Sequence, residues 1–311
     1  MRRLALLAVI TALSAGAQVK LTQQAGRIAV EIDGKPYTDF FLSPDGNKPY
    51  LYPLRTASGV IVTRRFPMEQ YAGETHDHPH HRGMFFSHGD INGINFWATE
   101  KATKTATDGS MVLRKVLEAK GGPKSGTIKA VFDGLDPQGK AMMTETRTIT
   151  FSTGPAQRVI DYEVTIQALR TLKFGDTKEG TFGIRLATAL SEDKGGKMVN
   201  AEGGQTEKNV WGKRSAWVDY AGVVEGKPVG VTIMDHPANP RHPTYWHSRA
   251  YGLFAANPFG VRDFTGDKTQ DGVMTVAAGR AVTFRYRVVI HDGGLGQSDV
   301  ASLYGRFSGG K

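Results

Sequence analysis

The chain has 311 residues, 38 of them glycine, no cysteine, and a formal charge of +9 at pH 7. The missing cysteine excludes disulfides, thiolate catalysis and anchoring through a lipidated cysteine, while the length suffices for one large core or two smaller ones. The positive charge is scattered, with no run of four basic residues, which argues against nucleic acid as a partner.

The chain opens MRRLALLAVITALSAGA, with Arg2 and Arg3 ahead of an apolar run from Leu4 to Leu13 and the small residues Ala15, Gly16 and Ala17. This predicts a signal peptide over residues 1–17, cleaved near Ala17, and a single β-sandwich domain over 18–311. The apolar run is shorter than the roughly 20 residues of a spanning helix. The expectation is a periplasmic or secreted protein that is not integral to a membrane.

IAVEIDGKPYTDFFL, residues 28–42, reads as two strands around Asp33-Gly34, a strong hairpin signal. The next segment, GETHDHPHHRGMFFSHGDINGINFW at 73–97, holds five of the nine histidines. If extended, it would put His76, His78 and His80 on one face and turn His81 away, but Pro79 favours an irregular loop that delivers selected side chains into a cleft. Imidazole suits acid-base work near neutrality, so His78 and His81 are candidates for it, with Arg82 holding an oxygen or carboxylate. A divalent metal ion is the other use of such a cluster, with ligands drawn from His76, His78, His81 and His242 and a carboxylate of Glu74 or Asp90 completing the set. The following GDINGINFW offers Asp90, Asn92, Asn95 and the flat ring of Trp97, which suit a hydroxyl-rich ligand or, equally, a turn ahead of a core tryptophan.

TIKAVFD at 128–134, MTETRTITF at 143–151 and RVIDYEVTIQAL at 158–169 continue with strand-like patterns. MTETRTITF sets Glu145 and Arg147 on one face with Met143, Ile149 and Phe151, so that face is either the floor of a pocket or a core with an internal charge pair. TFGIRLATAL, VGVTIMD and VTFRYRVVIH add further strands, and Glu202 sits in a loop between them. MDHPANPRHPTYWHSRAYGLFAANPFG at 234–260 is a second segment rich in histidine, arginine and aromatics. Arg241 would hold negative charge, Tyr245 or Trp246 would stack on a sugar ring, and His242 and His247 add imidazoles. Two such segments more than 130 residues apart are most simply explained by one shared pocket. Helix is expected only in SDVASLYGRF, with Ser298 as N-cap, and briefly around Glu100. The sum is an all-β protein, a large antiparallel β-sandwich of a dozen or more strands.

THDHPHHRGMFFSHGDINGINFW together with HPANPRHPTYWHSRAYGLFAANPFG resembles the DUF6807 proteins, a bacterial group often labelled "PmoA family", over nearly the whole mature chain. The methane oxygenase activity in that label would need several apolar spans, which this sequence lacks. The family is similar to the galactose-mutarotase-like supersandwiches, among them sugar epimerases and carbohydrate-binding or carbohydrate-cleaving domains. The resemblance implies that fold and a carbohydrate or glycoside substrate. Mutarotases use a histidine as acid and a glutamate as base. The role matches are His78, His81 or His242 and Glu74, Glu145 or Glu202, with no mutarotase motif mapping onto them residue by residue.

The sequence thus predicts an exported carbohydrate-active enzyme, a hydrolase, lyase or epimerase. His78, His81, Arg82, Glu145 and His242 would carry the chemistry. Glu74, Asp90, Asn92, Asn95, Trp97, Arg147, Arg241, Tyr245, Trp246 and His247 would surround the substrate. The competing class is a non-catalytic glycan-binding domain, and a third is a structural protein whose two histidine segments lie on separate surfaces.

Overall fold

The computed structural model describes residues 18–42, 47–100, 105–154 and 156–309, so the predicted leader over 1–17 lies outside the described residues. Two eight-stranded sheets, antiparallel throughout, face one another. In spatial order the first contains Val19–Gln24, Arg27–Ile32, Lys35–Phe41, Tyr50–Tyr52, Met84–His88, Gly180–Arg185, Leu253–Asn257 and Tyr245–Trp246. The second runs Lys197–Asn200, Trp217–Val224, Lys227–Asp235, Ala281–Asp292, Gln157–Ala168, Ala141–Gly154, Ser125–Leu135 and Ser110–Lys120. A short pair, Leu172–Phe174 with Met274–Val276, stands apart from both.

The predicted hairpin forms as expected: Ile32 pairs with Lys35, and Asp33 and Gly34 take φ values of 55° and 74°, the left-handed geometry of a two-residue turn that matches strand twist. Alternation along the strands divides side chains between two environments. Ile28, Val30 and Phe40 of the first sheet meet Phe132, Ile149 and Phe151 of the second in the central core. The opposite faces differ. Outside the first sheet, Tyr50, Phe85, Leu253 and Ala255 pack with Trp97 as a separate apolar cluster. Outside the second, Trp217, Met234 and Val289 are covered by Val300, Leu303 and Phe307 of the helix Gln297–Phe307.

The helix at the end of the chain forms, but its N-cap position is Gly296, whose N–H donates to the Asp299 carboxylate, and the Ser298 side chain lies outside the described residues. The helix expected around Glu100 is absent among the described residues: Glu100 is irregular and accepts two hydrogen bonds from Arg82, at 3.1 and 2.6 Å.

The MTETRTITF face is core. Glu145 and Arg147 are both buried between the sheets and bond to one another. Arg147 also donates to the carbonyls of Pro49 (3.0 Å) and Phe86 (3.1 Å) and to the Tyr162 hydroxyl (2.9 Å). Pro49 and Phe86 belong to the first-sheet side and Tyr162 to the second, so a single guanidinium ties the layers together. Burial raises the Glu145 carboxyl while the adjacent Arg147 lowers it, and burial prevails.

Candidate functional site

The outer face of the first sheet carries a cleft of about 450 Å³. Four stretches of chain supply its walls: His78, His80 and His81 from the first histidine segment; Ala98 just after it; Lys178 and Glu179 from the turn before Gly180–Arg185; and His247, Arg249 and Tyr251 from the second segment. The two histidine-rich segments therefore do meet, though through only part of each.

The first segment is irregular because a buried arginine organises it. Arg64 donates to the carbonyls of Phe66 (3.1 Å), Asp77 (2.6 Å) and His78 (2.9 Å), replacing the ladder bonds that Pro79 and the tight turn preclude. Its guanidinium also pairs with the Asp77 carboxylate at 3.0 Å, which Arg185 holds at 2.8 and 3.0 Å. Burial would raise the Asp77 carboxyl, but the His78 hydrogen bond and the two guanidinium groups hold it far below the usual carboxylate range. The second segment reaches the cleft by geometry of another kind. Tyr245–Trp246 pairs with Leu253–Asn257, and the hairpin tip between them carries His247, Arg249 and Tyr251.

The histidines divide by their hydrogen bonds. His78 Nδ1 bonds to the Asp77 carboxylate, an obligate acceptor, so Nδ1 carries the proton and neutral His78 has its lone pair on Nε2. Its ring is stacked between those of His81, 4.9 Å away, and Tyr251, 5.5 Å away, with φ of 44° at His78 itself. His81 is the converse case. Arg185, always a donor, lies 3.4 Å from its Nδ1, so the proton of neutral His81 is on Nε2, where it is buried without a partner. The Trp211 indole donates to His247 Nδ1 at 3.1 Å and fixes the same tautomer. Burial pushes His80 and His247 down to about 3 and His81 well below its ordinary value, keeping all three neutral near pH 7.

Glu179 is the one carboxylate lining this cleft. Burial raises its carboxyl against the opposing influence of Lys178 and His78, and no hydrogen bond from a described residue stabilises its ionised form. Behind the wall, Lys48 is fully buried with its ammonium against the Trp97 carbonyl and 4.9 Å from the Phe85 ring centre, and burial pushes it down to about 7.

Many residues expected at the site lie elsewhere. His242 bonds to Asp235 at 2.7 Å and to the Tyr304 hydroxyl at 3.3 Å under the C-terminal helix, on the outer face of the opposite sheet. Arg241 donates to the carbonyls of Pro258, Gly272 and Val273. Trp246 and Trp97 are wholly buried, and Tyr245 stacks on Phe264, so none offers a free ring face in this cleft. Arg82 closes on Glu100 and does not reach the cleft. Glu145 and Arg147 lie in the core described above. Asp90, Asn92 and Asn95 satisfy their own turn: Asp90 accepts from Gly93 N, Asn92 bridges Thr171 and Lys173, and Asn95 accepts from Trp97 N and Ala98 N. Glu74 accepts from the backbone of Arg65 and Phe66 and lines a separate cavity of about 400 Å³, while Glu202 is exposed at a turn.

The proposed ligand set His76, His78, His81 and His242 does not converge. His76 stacks on Phe66, His242 is on the far face, and the parallel stacking of His78 and His81 directs their in-plane lone pairs side by side instead of toward one point. Among the described residues, no group of three or more histidine, aspartate or glutamate side chains is placed to hold a metal ion. Conversely, the sequence reading missed Asp77, Lys178, Glu179 and Tyr251. The signal available for two of them was GDTKEG at 175–180, a charged turn running directly into a strand.

The neutral histidines have a consequence for stability. His80, His81, His88 and His247 all have folded values below the ordinary 6.5, with His88 down to about 4, so the unfolded chain binds more protons as pH falls below 6.5. Asp39, Glu145 and Glu179, raised in the fold, act in the opposite sense but are fewer. Stability is expected to fall on acidification from pH 6.5 toward 4, by at most about 1.4 kcal/mol per pH unit for each net proton. Urea denaturation at a series of pH values measures it; a flat profile over that range would contradict the buried neutral histidines.

Comparison with solved structures gives distant likenesses. A galactose mutarotase-like protein from Lactobacillus casei is 11% identical with a TM-score of 0.41, covering 88% of this chain and 100% of that one. The α-galactosidase AgaA of Geobacillus stearothermophilus is 10% identical at 0.43, covering 93% and 42%. The heparan sulfate lyase HepC of Pedobacter heparinus is 10% identical at 0.40, covering 91% and 36%. This chain spans less than half the length of the latter two, and similarity at this level assigns no activity. No curated protein matches it. Residues 27–305 do match the model of DUF6807, described as a family of unknown function, and the chain belongs to that family.

Proposed function

We propose that this protein is a carbohydrate-active enzyme of the acid-base type, with a sugar or glycoside bound in the cleft between the two histidine segments. The observation that carries this reading is that His78, held at Nδ1 by Asp77, lines the same cleft as Glu179, whose carboxylate has no hydrogen-bond partner among the described residues. An aspartate that holds Nδ1–H leaves Nε2 of His78 as a base, and a carboxyl raised by burial stays protonated to higher pH and can serve as the acid. His78 would take a proton from the substrate or from water, Glu179 would return one to the departing or ring oxygen, and the Nε2–H groups of His81 and His247 would donate to an oxygen as it gains charge. Hydrolysis, elimination and epimerisation all use this set.

A non-catalytic glycan-binding role is less well supported, because its stacking platforms would have been Trp97, Tyr245 and Trp246, of which the two tryptophans are buried and Tyr245 stacks on Phe264 away from the cleft. No helix among the described residues is long and apolar enough to cross a membrane. The leader pattern supports work outside the cytoplasm, and the exported protein is expected to begin at Gln18, as intact-mass measurement of the secreted or periplasmic chain would reveal.

Turnover of a panel of aldoses, uronates and glycosides, followed by nuclear magnetic resonance, tests the enzyme reading. Asp77→Asn removes the anion on His78 Nδ1 together with the counter-ion of Arg64 and Arg185, and is expected to lower the rate about 10–100-fold, by analogy with the loss of other groups that orient a histidine, with circular dichroism reporting whether the fold is kept. Binding without turnover of any panel member would favour the glycan-binding alternative.

A further inference from the structure

The walls of the cleft are unequal in charge. Lys178 and Arg249 line it as cations, whereas Glu179 is the only carboxylate among its lining residues and His80, His81 and His247 are neutral near pH 7. The ammonium of Lys178 has no hydrogen-bond or ion-pair partner among the described residues, although its backbone N–H is held by Asp263 at 2.9 Å. Arg249 is anchored through Nε, 2.8 Å from Glu207, and its guanidinium lies over the rings of Trp211 and Tyr251. Its two terminal nitrogens make no hydrogen bond to a described residue, leaving a planar pair of donors at the cleft. The layer beneath adds to the imbalance, since Arg64 and Arg185 share the carboxylate of Asp77.

A neutral sugar would leave the Lys178 ammonium without an ion-pair partner, and the terminal nitrogens of Arg249, whose charge Glu207 balances, without acceptors in a partly desolvated wall. An anion would satisfy both, and a planar donor pair fits two oxygens of one acidic group. The unpartnered Nε2–H of His81, from a residue 1% exposed, adds a donor for a neighbouring hydroxyl or ring oxygen. We propose that the ligand of this cleft is an anionic sugar, with a carboxylate or sulfate group held between Lys178 and Arg249 and its reacting carbon presented to His78 and Glu179. This rests on the carbohydrate reading given above and narrows it to acidic substrates.

Titration calorimetry of the mature full-length chain tests it with glucuronate and galacturonate, glucose 6-sulfate, and the neutral sugars glucose and galactose. At low ionic strength at least one acidic sugar is expected to bind at least tenfold more tightly than its neutral counterpart, with the advantage shrinking in high salt as the charges are screened. The uronate and sulfate arms distinguish which acidic group is preferred. Lys178→Met removes an ammonium that makes no hydrogen bond or ion pair with a described residue, and is expected to reduce the acidic-to-neutral affinity ratio about tenfold, with Lys178→Arg restoring most of it. Arg249→Met is expected to do the same, whereas Lys194→Met, in the separate cavity beside Arg65, leaves the ratio unchanged. Equal binding of acidic and neutral sugars would overturn the proposal and leave the carbohydrate reading intact. A preference that persists in both Lys178→Met and Arg249→Met would likewise overturn it. Failure of every sugar to bind would overturn both.

Discussion

Replacing Arg147 with methionine is expected to lower the unfolding free energy by about 3–5 kcal/mol, the usual cost of removing one partner from a buried ion pair. The variant leaves the Glu145 carboxylate without its counter-ion in the core and strips donors from the Pro49 and Phe86 carbonyls and the Tyr162 hydroxyl. Glu145, already raised by burial, would then protonate more readily, so the deficit should be smaller at pH 5 than at pH 8. Folded Glu145 in the variant binds a proton that the unfolded chain has released above about pH 4.3, and that proton is lost as pH rises. Combining Arg147→Met with Glu145→Met is expected to recover much of the loss, because two apolar chains of similar length need no compensation for charge. Urea denaturation of the wild type, both single variants and the double variant gives the cycle. A loss below about 1 kcal/mol for Arg147→Met would mean that the guanidinium is dispensable to sheet packing.

The second large effect is on turnover. His78→Gln and Glu179→Gln are each expected to reduce the rate about 10²–10⁴-fold on whichever sugar the wild type converts, the usual range for losing a positioned proton-transfer group. Because the two act in one proton cycle, the double variant should be little worse than the poorer single one. The pH profile separates their roles. With Glu179 as the acid, the alkaline limb of the wild-type profile belongs to its deprotonation, which burial shifts upward from the ordinary carboxylate range; Glu179→Gln should remove that limb as well as depress the rate. Substrate affinity should change less than the rate, since the Glu179 carboxylate makes no hydrogen bond to a described residue. Wild-type rates in Glu179→Gln would exclude it from the chemistry.

Much of this molecule was legible before its coordinates. Strand alternation and glycine punctuation gave the all-β sandwich, since side chains on successive residues must face opposite sides of a sheet whatever its partners. The Asp33-Gly34 hairpin was equally readable, because a two-residue turn needs left-handed geometry at both central positions and few residue pairs accept it. The prominence of His78, His81 and His247 followed from residue chemistry: imidazoles crowded beside prolines and glycines have few uses in a core.

Choosing among the rest required tertiary structure. His242 and His247 are only five residues apart, yet one is held under the helix outside the second sheet and the other reaches the cleft outside the first. Glu145 and Arg147 had a pattern compatible with either a pocket floor or a core, and only the arrival of the Pro49 and Phe86 carbonyls from the opposing sheet decides for the core. Lys178 and Glu179 carried little local signal, because a charged turn looks the same whether it faces solvent or two histidine loops brought to it from 97 and 68 residues away. Periodicity along one strand determined which side chains share a face. Which face became cleft, core or helix seat depended on contacts between segments far apart in the chain, and local sequence does not encode those one segment at a time.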